Sequence, residues 1–292
     1  MNAPPRASRA RASLPLRAGK TRIGKPGSCV PGLLQAMLLA PFAVAFASPL
    51  LWLIATAFHE TGSLANAWTL GNFATLFRTL PFVQWLVNSL WLASVQTTLA
   101  VLLSSLGGFA LAKYRFRGRR VVLSLMLVTL LLPGQVLLPS LYELMDAIGW
   151  VDSYAAILVP GAVSVVGLFL FRGAMAAVPD ELLDAGRIDG CSELRLWWSV
   201  ALPLVRPMVG AFTLMAFLGS WNSFLWPQVV LQDEAKYTLP IGLANLTGLP
   251  QYQADPGVLM AATLISILPV VLLFFVLQRD FVAGLGAGAV KE

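Results

Sequence analysis

Six long apolar runs, at residues 33–58, 85–112, 121–141, 154–171, 208–231 and 258–277, constrain this chain more than any other feature. Each holds roughly 18–28 residues, and a helix needs about 20 to cross the hydrocarbon of a bilayer. In lipid, only helices and closed barrels satisfy every backbone polar group. The runs lack the alternation of barrel strands, so the sequence predicts an all-α integral membrane protein with six transmembrane helices. Composition agrees, because charged residues make up 12% of the chain and mean hydropathy is +0.76. A soluble domain carries roughly 25% charged residues. Too little charge is present to cover a water-facing surface.

The first run follows a basic leader, and Ala45-Phe46-Ala47 resembles a signal-peptide cleavage site. A signal-peptide apolar core is about 7–15 residues long. This run stays uncharged over its whole length, so it reads as a membrane anchor. Cys29 precedes the run rather than ending it, which does not suit a lipoprotein cysteine. Segment 1–32 is rich in Arg, Ala and Pro, and reads as a largely disordered leader attracted to anionic lipid.

The basic residues fall in short segments between the runs, and that pattern sets direction. The leader, the connection with Lys113, Arg115, Arg117, Arg119 and Arg120, the connection with Arg172, Arg187, Arg195 and Arg206, and the tail with Arg279 and Lys291 lie on one side. Of the 20 basic residues only Arg78 and Lys236 lie on the other, beside Glu60, Glu143, Asp146, Asp152, Asp233, Glu234 and Asp255. The positive side faces the cytoplasm, which puts both termini inside and requires an even number of spans. The domain reading is therefore a leader at 1–32, a first span at 33–58, a core at 85–281 containing a cytoplasmic loop at 174–207, and a cytoplasmic tail at 282–292.

The same distribution argues against nucleic acid as a partner, despite a net charge of +6. Two cysteines, Cys29 and Cys191, and one histidine, His59, leave little for a metal cluster or a Cys/His catalytic pair. Cys191 falls in a cytoplasmic segment, which counts against pairing with Cys29. His59 reads as an exposed loop residue without a nucleophile to serve. Ala18-Gly19-Lys20-Thr21 mimics the end of a phosphate loop, but the first glycine of that motif falls at Leu14 and no strand precedes it.

The connection between the fourth and fifth runs is long. Pro179 suits the start of a helix, with Asp180 and Glu181 complementing its dipole. Leu182, Leu183, Ala185 and Ile188 give that helix an apolar face, and Gly190 can end it in the left-handed conformation. Ser192 can cap a second helix carrying Leu194, Trp197, Trp198 and Val200. Pro203 and Pro207 then break the chain before it re-enters the bilayer. This helix-turn-helix fits docking into a cleft of a soluble partner. It also fits an amphipathic hairpin resting on lipid, although its acids would be repelled by anionic headgroups.

Asp184-Ala185-Gly186, three residues, Gly190, nine residues, and Val200-Ala201-Leu202-Pro203 resemble the loop of bacterial ABC importer permeases. The family pattern there is Glu-Ala-Ala, three residues, Gly, nine residues, Ile-x-Leu-Pro. The spacing is kept, with Asp for Glu at 184, Gly for Ala at 186 and Val for Ile at 200. Asp152-Ser153-Tyr154, Pro179 to Leu182, Trp221 to Pro227, and Gln278 to Lys291 resemble the carbohydrate-uptake branch, over about residues 33–292. Within it the chain is similar to the second permease subunit of maltose-type importers.

The resemblance implies the type I importer fold and a role as half of a translocation pathway for a sugar or sugar-like solute. It implies a bacterial inner-membrane setting, a second permease subunit as partner, an extracytoplasmic solute-binding protein, and a dimeric cytoplasmic ATPase. ATP and magnesium would be held by that ATPase, with no cofactor in this chain. Asp184, Ala185, Gly186, Asp189 and Gly190 would form the turn that couples to the ATPase, and Leu202 and Pro203 would set the exit angle into the fifth span. Asp184 is the candidate for an ionic contact, and Ala185 and Gly186 for close helix approach.

Polar groups inside spans are costly unless they face helices, water or ligand. Asn88, Gln96, Gln135, Asn222 and Gln228 are candidates for the solute pathway, with Trp221 and Trp226 able to stack on sugar faces. Interhelical hydrogen bonding and interfacial aromatics remain the alternative for each. Gly107 and Gly108, with Ser104 and Ser105, read as helix-packing positions. A secondary transporter or channel driven by an ion gradient is the competing class, but neither of its signatures, intramembrane carboxylates or paired discontinuous helices, is evident in the sequence. Polyols and glycerol-3-phosphate stay open as solutes.

Overall fold

A computed structural model describes residues 32–59, 68–248 and 255–289. Residues 1–31 of the 1–32 leader, with Cys29 and the phosphate-loop mimic, lie outside them, as do Glu60 and the last three residues. The helices in chain order are α1 (Gly32–Phe58), α2 (Gly71–Thr79), α3 (Phe82–Lys113), α4 (Arg119–Leu131), α5 (Leu138–Ala147), α6 (Ala155–Gly161) and α7 (Val165–Ala176). They continue with α8 (Asp180–Ile188), α9 (Glu193–Leu196), a π-turn at Trp197–Ala201, and α10 (Leu202–Leu204). The chain ends with α11 (Arg206–Trp221), α12 (Leu225–Val230), α13 (Leu239–Gly248) and α14 (Pro256–Ala289). The last helix runs through most of what the sequence marks as tail.

The described residues divide into two units, and the division falls within α1, between Pro49 and Leu50. In the first unit, the side chains from Met37 to Pro49 are all exposed, as lipid-facing groups would be. In the second, α3 packs chiefly on α7 and α11, and α11 on α14. Glycine permits the tightest of these approaches. A Cβ on Gly108 would lie 2.8 Å from the backbone nitrogen of Arg172 and 2.6 Å from Cβ of Phe171. Ser104 and Ser105 are fully buried beside it. Small residues thus let α3 and α7 meet backbone to backbone. His59 differs from the exposed loop residue expected: it is half-buried, its Nδ1 lies 2.8 Å from the Ala55 carbonyl, and its ring packs on Trp68 at 4.7 Å.

Among the described residues four helices are long and apolar enough to cross a membrane, or up to six if each of two bent pairs counts as one span. The third apolar run is not one straight helix. It turns by 96° between α4 and the segment from Gly134 to Ala147, where Pro133 cannot donate to a helical ladder. At 13 residues α4 is about 20 Å long, short of the roughly 30 Å of a hydrocarbon core. The fifth run is also divided, by Asn222, Ser223 and Phe224 between α11 and α12. In the fourth run Pro160 lacks the N–H that would bond the Ala156 carbonyl four residues back. That carbonyl instead accepts a 2.9 Å hydrogen bond from Nε1 of Trp226. A proline in one helix is thereby met by a tryptophan in another, as buried backbone groups require.

Candidate functional site

The loop from 179 to 205 folds as the two-helix hairpin its residues predict. Pro179 precedes α8, Asp180 and Glu181 occupy the first turn, and Arg187 the last. Asp189 caps the helix and Gly190 follows at φ +80°. The amide of Cys191 bonds the Gly186 carbonyl at 2.9 Å and that of Gly190 bonds the Arg187 carbonyl at 3.0 Å, which satisfies the exposed helix end. Ser192 caps α9 by accepting from the Arg195 amide. The π-turn follows, just ahead of Pro203, and the arm ends at Val205. There α11 leaves at 88°.

The hairpin has two faces. Leu183, Leu196 and Trp197 are buried against Phe109, Phe171, Met175, Val178 and Val205. Leu182, Ile188, Leu194 and Trp198 point outward, with Ile188 87% exposed. Asp184 and Ala185 are exposed, and Asp184 Oδ1 accepts from Arg187 Nη1 at 2.7 Å. Gly186 faces inward, where a Cβ would come within 2.5 Å of the Leu196 side chain. Its smallness therefore serves the approach of α8 to its own partner helix. Asp189 and Gly190 are exposed at the turn, and nothing lies within 4 Å of where a Gly190 Cβ would sit. Leu202 is half-buried, and Pro203 is exposed on α10.

Two residues that sequence reasoning did not assign to this site hold it in place. Lys113, the last residue of α3, has a side chain only 6% exposed. Its Nζ donates to the Val178 carbonyl at 2.5 Å and to Asp180 Oδ1 at 2.7 Å. Tyr114 donates its hydroxyl to Glu193 Oε2. Arg187 Nε donates to Glu193 Oε1 at 2.8 Å, so Arg187 bridges α8 and α9 through Asp184 and Glu193. Hydrogen bonds from Arg187 first, and then Tyr114, hold the Glu193 carboxyl below its ordinary pKa. Burial first, and then Glu193, pushes the Tyr114 phenol up. Lys113 lowers Asp180 in the same way. In the sequence Lys113 is one positive charge of the cytoplasmic set, and nothing there links it to an aspartate 67 residues later.

The intramembrane candidates separate by environment. Gln96, Gln135 and Asn222 line one open groove of about 550 Å³, together with Gly161, Ser223, Phe224 and Trp226. A second depression of about 350 Å³ shares Gln96 and Gly161 and adds Ser164 and Ser220. Gln96 is positioned: its Oε1 accepts from Ser220 Oγ at 2.9 Å, and its amide lies across Gly161, where a Cβ would have no room. No residue lining either depression is charged. Asn88, Trp221 and Gln228 line neither. Asn88 Nδ2 donates to the carbonyls of Ala235 and Tyr237, both at 2.9 Å. Trp221 is buried and stacks on Phe217 at 5.7 Å. Gln228 is exposed on α12.

Near Asn88 lies a second cluster that the sequence did not announce. Asp152, at φ +60°, accepts the amides of Gln232 and Asp233 at 2.9 and 3.0 Å, and pairs with Lys236 Nζ at 2.5 Å. The Lys236 hydrogen bond, followed by the Asp233 amide, lowers its pKa to about 2. Asp152 stood out as part of a family pattern, and its structural reason is this knot. The one signal available was Lys236 itself, a rare base in an acid-rich segment.

Apolar helices long enough to span a membrane, an uncharged groove holding Gln96, Gln135 and Asn222, and an amphipathic hairpin are the features a membrane transport component would have. The family described as binding-protein-dependent transport system inner membrane component matches residues 101–285. The arabinooligosaccharides transport system permease protein AraQ of Halalkalibacterium halodurans is 38% identical over 273 residues, covering 89% of this chain and 97% of that one. The lactose transport system permease protein LacG of Rhizobium radiobacter is 32% identical over 270 residues, covering 90% and 97%. The structure of a bacterial ABC transporter involved in the import of alginate aligns with a TM-score of 0.75 at 21% identity, over 86% of this chain and 96% of that one. The chain belongs to the family of binding-protein-dependent transport system inner membrane components. It is a transport subunit rather than an enzyme.

Proposed function

We propose that this chain forms half of the solute path of an ATP-driven importer for a neutral oligosaccharide, and that the hairpin at 180–203 takes the push of a separate ATPase. The outward row of Leu182, Ile188, Leu194 and Trp198 on a salt-bridged frame carries this reading. Apolar side chains held rigidly beside Asp184, Asp189 and Glu193 suit a cleft in a soluble protein better than an anionic lipid surface. Asp184, Ala185, Asp189 and Gly190 form the tip that enters the cleft. Gly186 keeps the two arms together, and Leu202 and Pro203 lead into the turn at Val205.

Gln96, Gln135 and Asn222 offer amide groups to the solute, and Trp226 offers a ring edge beside them. Amides, hydroxyls and aromatic carbon set among aliphatic side chains fit hydroxyl-rich, uncharged solutes, and the lining holds no arginine or lysine of the kind a phosphate ester would call for. The relatives named for arabinooligosaccharides and lactose support the same class. A second permease subunit supplies the facing wall, and an extracytoplasmic binding protein delivers the solute. Both termini and the hairpin face the cytoplasm, in line with the arginine distribution.

Co-purification from detergent with an ATPase subunit tests the reading, with Ile188→Asp as the control that removes the contact. Loss of capture with an intact helical body is the expected result. Equal capture by Ile188→Asp, or labelling of Asp189→Cys by an impermeant thiol reagent from outside the cell, would overturn it.

A further inference from the structure

We infer that Lys113 and Tyr114 carry movement of the 180–204 hairpin directly into α3, so that the hairpin drives three helices rather than the two it joins by sequence. The inference rests on the function proposed above. By chain connectivity the hairpin hands its motion to α7, before it, and to α11, after it. Helix α3 is joined to neither end, and its nearest hairpin residue in sequence is more than 60 positions away. Its last residue and its cap nevertheless grip both arms.

Lys113 holds the start of the first arm through the Val178 carbonyl and Asp180. Tyr114 holds the second arm through Glu193. Arg187 ties the arms to each other, with Nε to Glu193 at 2.8 Å and Nη1 to Asp184 at 2.7 Å. A displacement of either arm therefore reaches the end of α3 through a charge-assisted bond of short, directed geometry.

The burial of Lys113 makes this more than a surface ion pair. Exposed pairs contribute little because both partners keep their water. The Lys113 ammonium is almost fully covered while Asp180 is 76% exposed. A covered ammonium needs fixed oxygens in place of its water, and here one belongs to the hairpin, at Asp180, and one to Val178 at its threshold. Moving the hairpin without α3 would strip Lys113 of the Asp180 carboxylate. Phe109, one turn back on α3, meets the Tyr114 ring edge-on at 6.0 Å and anchors the other grip to the helix.

What α3 carries gives the link its purpose. Gln96 sits about 26 Å along the helix from Lys113 at 1.5 Å per residue, against the neutral groove. One rigid rod thus joins the hairpin to an amide in the proposed solute path. Lys113 and Tyr114 are positioning residues, since neither touches the groove.

The test uses the complete transporter in proteoliposomes, with its ATPase and binding protein. The probe is whichever of radiolabelled arabinotriose, lactose and maltotriose the wild type accumulates. Tyr114→Phe keeps the ring on Phe109 and removes only the bond to Glu193. Lys113→Met removes the charge, and Lys113→Arg restores it. In the Lys113→Met, Tyr114→Phe double variant, solute taken up per ATP hydrolysed should fall about fivefold or more, the low end of measured coupling energies. Capture of the ATPase should persist, and Lys113→Arg should recover most of the ratio. A merely structural role would lower uptake and hydrolysis together, so an unchanged ratio overturns the inference. If Tyr114→Phe alone, which removes one hydroxyl and keeps the ring, leaves the ratio at the wild-type value, that grip carries nothing and the inference fails. A wild-type chain that captures no ATPase would instead overturn the proposed function, and this inference with it.

Discussion

The two ends of α3 are fastened by opposite kinds of chemistry. At the Asn88 end the bonds run to backbone: Asn88 reaches the carbonyls of Ala235 and Tyr237, and the Leu239 amide donates to Ser89 Oγ at 2.7 Å. The neighbouring Asp152 holds the backbone of 232–233 and the side chain of Lys236. At the Lys113 end most bonds run from side chain to side chain, through Asp180, Glu193 and Arg187. Backbone partners cannot swing away, so the first end is a fixed mount. Charged side chains can re-pair within a few ångströms, so the second end can follow a moving partner. Under the proposed function, the first end would serve as the hinge and the second would receive the push.

Removing the seam between the ends has the largest expected effect. Gly108→Leu places a side chain against the Phe171–Arg172 backbone, which cannot yield. Overpacking of this kind costs about 1–3 kcal/mol or more. Both ends should fail together, read as loss of monodisperse protein on gel filtration. Asn88→Leu attacks the fixed mount alone. It removes two hydrogen bonds, although the Ala235 carbonyl keeps one from Gln84 Nε2 at 2.8 Å, at about 1–2 kcal/mol for two neutral hydrogen bonds. The thermal midpoint in detergent should drop while uptake per ATP hydrolysed stays constant. A changed ratio would mean that the mount also moves.

Gly190→Val probes the driven end without a clash, because the space beside it is open. The left-handed φ of +80° costs a β-branched residue about 1–2 kcal/mol. That energy should appear as weaker ATPase capture, with little change in the melting of the helical body. The smallest effect comes from acid. Asp152 has its pKa lowered from 3.8 to about 2, so the folded state favours its charged form. Its contribution is present above pH 3.8 and is lost as pH falls toward 2. Protection of the 230–237 amides, read as exchange relative to the intrinsic rate at each pH, should fall over that window in the wild type. Asp152→Asn should exchange fast at neutral pH and show no such step.

Much of this architecture was legible in the residues. The apolar runs located the helices, Pro179, Gly190 and Ser192 marked the hairpin ends, and Gly108 with Ser104 and Ser105 marked a packing seam. Hydropathy did not reveal the 96° turn near Pro133 or the gap at 222–224, because a window average ignores which carbonyls lose their donors. The Trp226 bond to Ala156 shows why: the compensating donor comes from 70 residues away. The grip of Lys113 on Asp180 was invisible for the same reason. Charge sets the side of the membrane from local sequence, but the pairing of charges depends on how helices pack. Of the polar residues in the runs, chemistry alone could not separate Gln96, held open to a groove by Gly161, from Asn88, spent on two carbonyls.

The right angle at Val205 has a mechanical meaning. Two stiff rods joined at a square corner respond differently to different motions of one rod. A slide of the α9–α10 segment along its own axis would carry α11 sideways without tipping it. A roll of that segment about its axis would tilt α11 through the same angle, and the far end of a 16-residue rod about 24 Å long would sweep several ångströms for each ten degrees or so of roll. At such a corner a pull would shift α11 whole, and a twist would tilt it.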